Sequence, residues 1–248
     1  MTGAVRTIRM EIEYDGTSFC GWQRQSGALP TVQGTLEAAL GRITQEKIGI
    51  DGAGRTDKGV HARGQVASFT TASTMDTGRL MHSCNSLLPG AIRITAMQQV
   101  PESFHARFSA TTREYRYFLL ERPSAIDSRF AGCSYGKPDI AAMNRLASML
   151  IGTHDFTAFS KEDSDQQGRL CTVKDARWYR SGRFHVFEIE ANRFLRSMVR
   201  FLVSGMIEVG MGRIGEEEFA MMLKSGRRLP NLKPADAAGL FLWKVRYR

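Results

Sequence analysis

Cysteine is sparse in this sequence and never paired. Cys20, Cys84, Cys133 and Cys171 are scattered over 248 residues, no Cys-x-x-Cys occurs, and no two histidines stand at ligand spacing on a plausible helix. The signatures of a zinc site and of a disulfide framework are therefore missing, and the thiols read as buried or half-buried side chains. No apolar run is long enough to span a bilayer. Within Met1–Met10, Arg6 and Arg9 interrupt what would have to be the apolar centre of a signal peptide, so the default expectation is a cytoplasmic protein. Low-complexity segments are also lacking.

Acidic residues are outnumbered: 25 Asp+Glu against 34 Lys+Arg leave a net charge of +9. A balance of this size favours a polyanionic partner, nucleic acid being the commonest, with a merely solvated basic surface as the alternative. Arginine outnumbers lysine, and its planar fork suits phosphates and bases better than a point charge does. With 42% hydrophobic residues the chain can bury a sizeable core.

The pattern of elements repeats. Thr7–Tyr14 alternates as a half-buried strand, with Ile8, Met10, Ile12 and Tyr14 on one face. Asp15-Gly16-Thr17 reads as a turn, and Val32, Leu36, Leu40 and Ile43 mark a helix capped by Thr31. Short strands are predicted at Lys47–Ile50 and Gln65–Phe69, a helix at Thr77–Leu87 capped by Asp76, and a strand at Ala91–Gln98. This β-α-β-β-α-β order is ferredoxin-like. The second half offers a strand at Arg113–Leu120, a helix at Ile140–Leu150 capped by Asp139, and a hairpin of Val173–Tyr179 and Arg183–Glu190 around Ser181-Gly182. A long helix from about Arg193 to Val209, a shorter one at Glu216–Lys224 and a final strand at Leu240–Tyr247 follow. The expected class is α+β, with one half spanning 1–105 and the other 106–248.

Three stretches could carry chemistry. Gly52-Ala53-Gly54-Arg55-Thr56-Asp57-Lys58-Gly59-Val60-His61-Ala62 lies between two strands, with three glycines in eight residues. Such density suits unusual backbone or close approach to a ligand; a purely structural turn is the other reading. It is no P-loop, because Lys58 precedes Gly59 and a strand follows, and no dinucleotide fingerprint, because Asp57 stands where a third glycine is needed. Tyr115 and Tyr117 share one face of their strand, with Arg116 on the other; they are either core tyrosines or an aromatic platform for RNA bases. In the predicted helix from Arg193, Phe194, Leu195, Met198, Val199, Leu202, Val203 and Met206 form an apolar stripe. Arg193, Arg196 and Arg200 fall on neighbouring turns off it, which a solvated basic face would also explain.

Together these stretches resemble one family. GAGRTDKGVHA is similar to the signature loop of the bacterial tRNA pseudouridine synthase A family, and YDGTSFCGWQ, TVQGTLEAAL, VPESFHARFSATTREYRY, GTHDFTAFS, FLRSMVR and AAGLFLWKV resemble its other blocks, in order. The resemblance implies two ferredoxin-like halves with joined antiparallel sheets and a central active-site cleft. It also implies a homodimer that holds one tRNA across both subunits and isomerises uridine at positions 38, 39 and 40 of the anticodon stem-loop, without metal or cofactor. Matched by motif position, Asp57 would be the nucleophile and Arg55 would enter the space of the flipped base. Tyr115 would stack on the target uracil and Arg200 would pair with Asp57, with Phe194 and Leu240 completing the substrate-binding set. The sequence departs from the family pattern at Arg196-Ser197 and Phe201, where Tyr or His, His, and Asn are usual, and at Asp236, which replaces a proline.

Overall fold

A computed structural model describes residues 5–25, 29–161 and 168–248; Met1–Ala4, the start of the N-terminal stretch read above, lie outside them. The described residues are mixed α and β, with ten strands and five α-helices. The strands are β1 (Arg6–Tyr14), β2 (Asp51–Gly52), β3 (His61–Thr71), β4 (Ile92–Val100), β5 (Ala110–Leu120), β6 (Gly132–Cys133), β7 (Gly152–Asp155), β8 (Leu170–Ser181), β9 (Phe184–Ala191) and β10 (Leu240–Tyr247). The helices are α1 (Val32–Thr44), α2 (Thr77–Leu87), α3 (Ile140–Met149), α4 (Met198–Gly210) and α5 (Glu216–Ser225). No helix among the described residues is long and apolar enough to cross a membrane.

The chain divides into two compact units, one running to Thr111 and taking back Leu242–Arg248, the other Thr112–Phe241. In the first unit the strand order is β4-β1-β3-β10, with β2 also on β3. β1 runs antiparallel to both β3 and β4. The alternation of β1 is what makes the sheet two-faced: Ile8, Met10 and Ile12 are fully buried, together with Leu36 and Leu40 of α1 and Leu80 of α2. Both helices start on side-chain caps. Thr31 accepts from the Gly34 amide, and Asp76 from those of Gly78 and Arg79, which satisfies amides that have no partner within the helix.

In the second unit the order is β5-β9-β8-β7, all antiparallel, and β6 pairs parallel with β5. β8 and β9 form the expected hairpin, with Gly182 at φ 59 in its turn. Phe187 and Ile189 of β9, Met143 and Leu146 of α3, Leu202 and Met206 of α4 and Phe219 of α5 are buried in this core. The Asp139 carboxylate caps α3 through the Ala142 amide.

Two elements differ from expectation. Lys47–Ile50 is irregular, and the strand there is only Asp51–Gly52. Glu37 and Gln33 of α1 take up the hydrogen-bonding groups of Ile50 instead: its amide donates to Glu37 Oε1 at 3.1 Å, and its carbonyl accepts from Gln33 Nε2 at 3.2 Å. The long helix begins at Met198, not Arg193. Ser197 sits at φ 60, outside the right-handed region, and neighbours draw out the residues before it. The Asn192 amide donates to the Thr172 carbonyl at 3.1 Å, and the Lys161 amide to the Arg196 carbonyl at 3.1 Å. Phe194 and Leu195 are therefore not part of a helical stripe, and Arg193 and Arg196 do not share a helix face with Arg200.

Candidate active site

The glycine-rich stretch is a fixed irregular loop between β2 and β3. Its floor is the chain from Tyr14 to Trp22. The Tyr14 hydroxyl lies 2.8 Å from Thr56 Oγ1 in a buried hydrogen bond, and the Trp22 amide donates to the Thr56 carbonyl at 3.1 Å. From β3, Gln65 Nε2 donates to the Gly54 carbonyl at 2.8 Å. The turn carrying Asp57 is closed by the Val60 amide on the Asp57 carbonyl at 3.1 Å, with Gly59 at φ 80. Such contacts leave no room for larger residues beneath the loop. A Cβ on Gly21, itself at φ 94, would stand 2.7 Å from the Thr56 carbonyl oxygen, and one on Gly16 would stand 2.0 Å from that of Val60. Gly16 also donates its amide to Nδ1 of the fully buried His61 at 3.0 Å.

The result is a loop whose middle residue points inward while Arg55 and Lys58 face outward. Thr56 is buried, Arg55 and Lys58 are exposed, and Asp57 is half-buried. Burial holds the Tyr14 phenol well above its ordinary pKa, so it stays protonated and available to Thr56 at any ordinary pH. A carboxylate on so constrained a backbone is pre-positioned, which is what a nucleophile or a charge-stabilising group requires.

In the second unit, Tyr115 and Tyr117 of β5 are both buried. The Tyr115 ring meets Phe194 edge-on, centroids 4.9 Å apart at 80°. Tyr117 is a core residue wedged between Gly132 and Gly239, where a Cβ would lie 2.1 Å from its hydroxyl and 2.6 Å from its ring. Arg116 forms ion pairs with Glu114 at 2.9 Å and Glu188 at 2.8 Å. Arg200, in the first turn of α4, donates Nε to the Ala235 carbonyl at 2.7 Å and accepts the Ala235 amide on its own carbonyl at 3.0 Å. Leu240 is buried at the start of β10. Within this unit, then, Tyr115 and Phe194 are brought together, while Arg200 is tied to the Ala235–Asp236 segment. Asp236 at the proline position has a local role, its carboxylate accepting from the Ala238 amide at 3.1 Å.

The sequence reading missed the floor of the loop. Tyr14 was legible only as an inward strand residue, and nothing local tied Thr56, Gln65 or Trp22 to one another. Grooves of about 580 Å³ along α1, lined in part by Arg24, Thr31 and Arg42, and about 160 Å³ beside Tyr117 and Asp236 do not include Asp57 or Arg55. Among the described residues no group of three or more His, Cys, Asp or Glu could hold a metal ion. Burial raises the thiols of Cys84 and Cys171 to about 11, which removes them from nucleophilic chemistry near neutrality.

The family model described as tRNA pseudouridine synthase matches residues 10–109 and 146–248. A tRNA pseudouridine synthase A of Chlorobaculum tepidum is 75% identical over the full length of both chains. Another, from Pelodictyon phaeoclathratiforme, is 58% identical over 98% of this chain and all of its own. Similarity to a solved Cbf5-Nop10-Gar1 complex is slight, with a TM-score of 0.37 and 12% identity over 81% of this chain and 44% of that one, and carries no argument. These matches define an isomerase of the pseudouridine-forming class. The chain belongs to the tRNA pseudouridine synthase A family.

Proposed function

We propose that this enzyme converts uridine to pseudouridine at positions 38, 39 and 40 in the anticodon stem-loop of tRNA, with Asp57 as nucleophile. The observation that carries the reading is the half-buried Asp57, close to exposed Arg55, on a loop anchored through Thr56. The reaction breaks the C1′–N1 bond and forms C1′–C5, releasing the C5 hydrogen as a proton while N1 gains one. Attack at the sugar, addition to the base and removal of the C2′ proton all draw on the charge of one carboxylate. The base must leave the stack to be turned; Arg55 fills its place, Tyr115 stacks on it with Phe194 and Leu240 closing around it, and Arg200 pairs with Asp57. This arrangement requires two ferredoxin-like halves, 1–105 and 106–248, with their sheets joined and the cleft between them. The enzyme works as a cytoplasmic homodimer across which one tRNA lies, without a cofactor; the excess of arginine supports that basic cradle.

The test is Asp57→Asn, which keeps shape and removes charge. Release of tritium from C5-labelled uridine in unmodified tRNA should fall to background, while tRNA affinity stays within about tenfold (~1.4 kcal/mol), since phosphate contacts dominate binding. Arg200→Lys keeps charge but loses the planar fork, and should be impaired to a smaller degree. Near-normal tritium release by folded Asp57→Asn would remove the nucleophile assignment.

A further inference from the structure

The segment joining β4 to β5 carries an exposed aromatic ring on a backbone that is anything but loose. Ala106 is completely buried, its amide donating to Ser68 Oγ at 3.0 Å and its carbonyl accepting from the Tyr247 hydroxyl at 2.7 Å. The turn around it is closed twice, by the Ser109 amide on the His105 carbonyl at 2.9 Å and by the His105 amide on Ser109 Oγ at 3.1 Å. The Arg107 amide donates to His105 Nδ1 at 3.1 Å, and the Phe104 ring packs on Tyr247 with centroids 5.0 Å apart. On this anchored turn Phe108 remains 75% exposed.

Scattered exposed apolar residues need no explanation, but Phe108 differs in its company. The His105 ring lies 4.5 Å from it and the Arg107 guanidinium 5.5 Å. A largely exposed aromatic ring on an anchored turn, with a cation over it, suits a nucleobase with its phosphate: every base has a π-face, and stacking on a ring whose backbone is already fixed orders little protein. The turn also lies at the root of the candidate loop, because His105 Nε2 stands 3.7 Å from the carboxylate of Asp51 in β2. Asp51 is six residues before Asp57, so the two are no more than about 20 Å apart, roughly six stacked nucleotides at ~3.4 Å each. One RNA molecule can occupy both places.

We propose that Phe108, with His105 and Arg107, is a stacking platform for an unpaired nucleotide of the RNA substrate, separate from the target uridine. It rests on the chain binding tRNA and not on any role of Asp57. Its exposure means that Phe108 variants keep the fold, which unchanged thermal unfolding should verify. An unmodified tRNA anticodon stem-loop is the probe. Phe108→Ala should weaken its binding about fivefold or more (~1 kcal/mol of base stacking). Phe108→Leu, apolar but without a π-face, should weaken it similarly. Phe108→Trp should bind within twofold of the parent, its indole emission quenched when RNA is added, and Arg107→Gln should lower the slope of affinity against salt.

Binding by Phe108→Ala within twofold of the parent overturns the platform. So does full binding by Phe108→Leu, or a Phe108→Ala protein that loses self-association while its RNA affinity per subunit is unchanged, either of which makes the residue a protein contact. The two proposals fail separately. A parent protein that binds the stem-loop and needs Phe108 but forms no pseudouridine loses the proposed function and keeps the platform; normal turnover with a dispensable Phe108 does the reverse.

Discussion

The Asp57 loop of the first unit and the Asn192–Ser197 segment of the second are both irregular, yet they are held in different ways. Beneath Asp57 the restraints are buried side-chain hydrogen bonds and glycines in close contact: Tyr14 on Thr56, Gln65 on Gly54, Gly21 and Gly16 under the turn. Asn192–Ser197 is instead held largely by backbone bonds to Thr172 and Lys161, with the Asn192 side chain accepting from the Thr172 amide and a ring contact between Phe194 and Tyr115. Backbone bonds accept almost any side chain, whereas a buried hydroxyl pair or a glycine without room for Cβ accepts few. The first site should therefore be brittle to conservative substitution and the second tolerant.

Gly21→Ala should cause the largest change, because it adds both left-handed strain and a contact 2.7 Å from the Thr56 carbonyl. A loss of about 3 kcal/mol in urea unfolding is expected, with tritium release reduced by two orders of magnitude or more as the Asp57 backbone moves. A stability within 0.5 kcal/mol of the parent would show that the floor yields, and would erase the contrast.

Tyr14→Phe comes next. It strands the buried Thr56 hydroxyl at a cost of about 1–3 kcal/mol, and turnover should fall about tenfold with tRNA affinity unchanged. Adding Thr56→Val should recover much of the stability, since removing both partners of a buried bond costs less than removing one. Additive losses in the double variant would mean that the pair is not coupled.

On the other side of the comparison, Phe194→Leu should cost only the edge-on ring pair and some packing, about 0.5–1.5 kcal/mol. A larger loss, measured in the same unfolding assay, would make the second segment as brittle as the first.

The smallest effect lies away from both sites and depends on pH. The hydrogen bond from His185, with its charge and those of Arg180 and Lys137 secondary, holds the Glu121 carboxyl below its ordinary value. A lowered folded value means that the unfolded chain takes up the proton first as acid is added. The stabilisation is complete above the usual carboxylate range and is lost as pH falls through the folded value. Glu121→Gln should lower the neutral plateau of a Tm-against-pH curve slightly and leave its acid end unchanged, so that the acid limb flattens; an identical curve would show that the pair contributes nothing.

Legibility followed the same physics. The helices at Val32, Thr77 and Ile140 were readable because a cap and a 3.6-residue apolar pattern are local properties, and Thr31, Asp76 and Asp139 do cap them. The α4 stretch was read too long because its apolar residues kept helical spacing through Phe194 and Leu195, although bonds from Thr172 and Lys161, at least twenty residues away in sequence, hold the flanking Asn192 and Arg196 outside the helix. Asp57 stood out because glycines cluster around it. Tyr14 did not, since an inward tyrosine on an alternating strand looks like core until the residue above it is known.

The amino-acid order by itself determined the mixed α+β class, the capped helices, the hairpin at Gly182 and the family, because each depends on periodicity, turn chemistry or a contiguous motif. Only the tertiary structure decided that Thr56 is the buried anchor of the Asp57 loop, that Arg116 belongs to an ion-pair network, that α4 starts at Met198 and that Phe108 is exposed on a fixed turn. Each of these rests on partners distant in sequence: Tyr14 is 42 residues from Thr56, and Tyr247 is 141 from Ala106. Whether such groups meet depends on which strands become neighbours, and no local pattern encodes that.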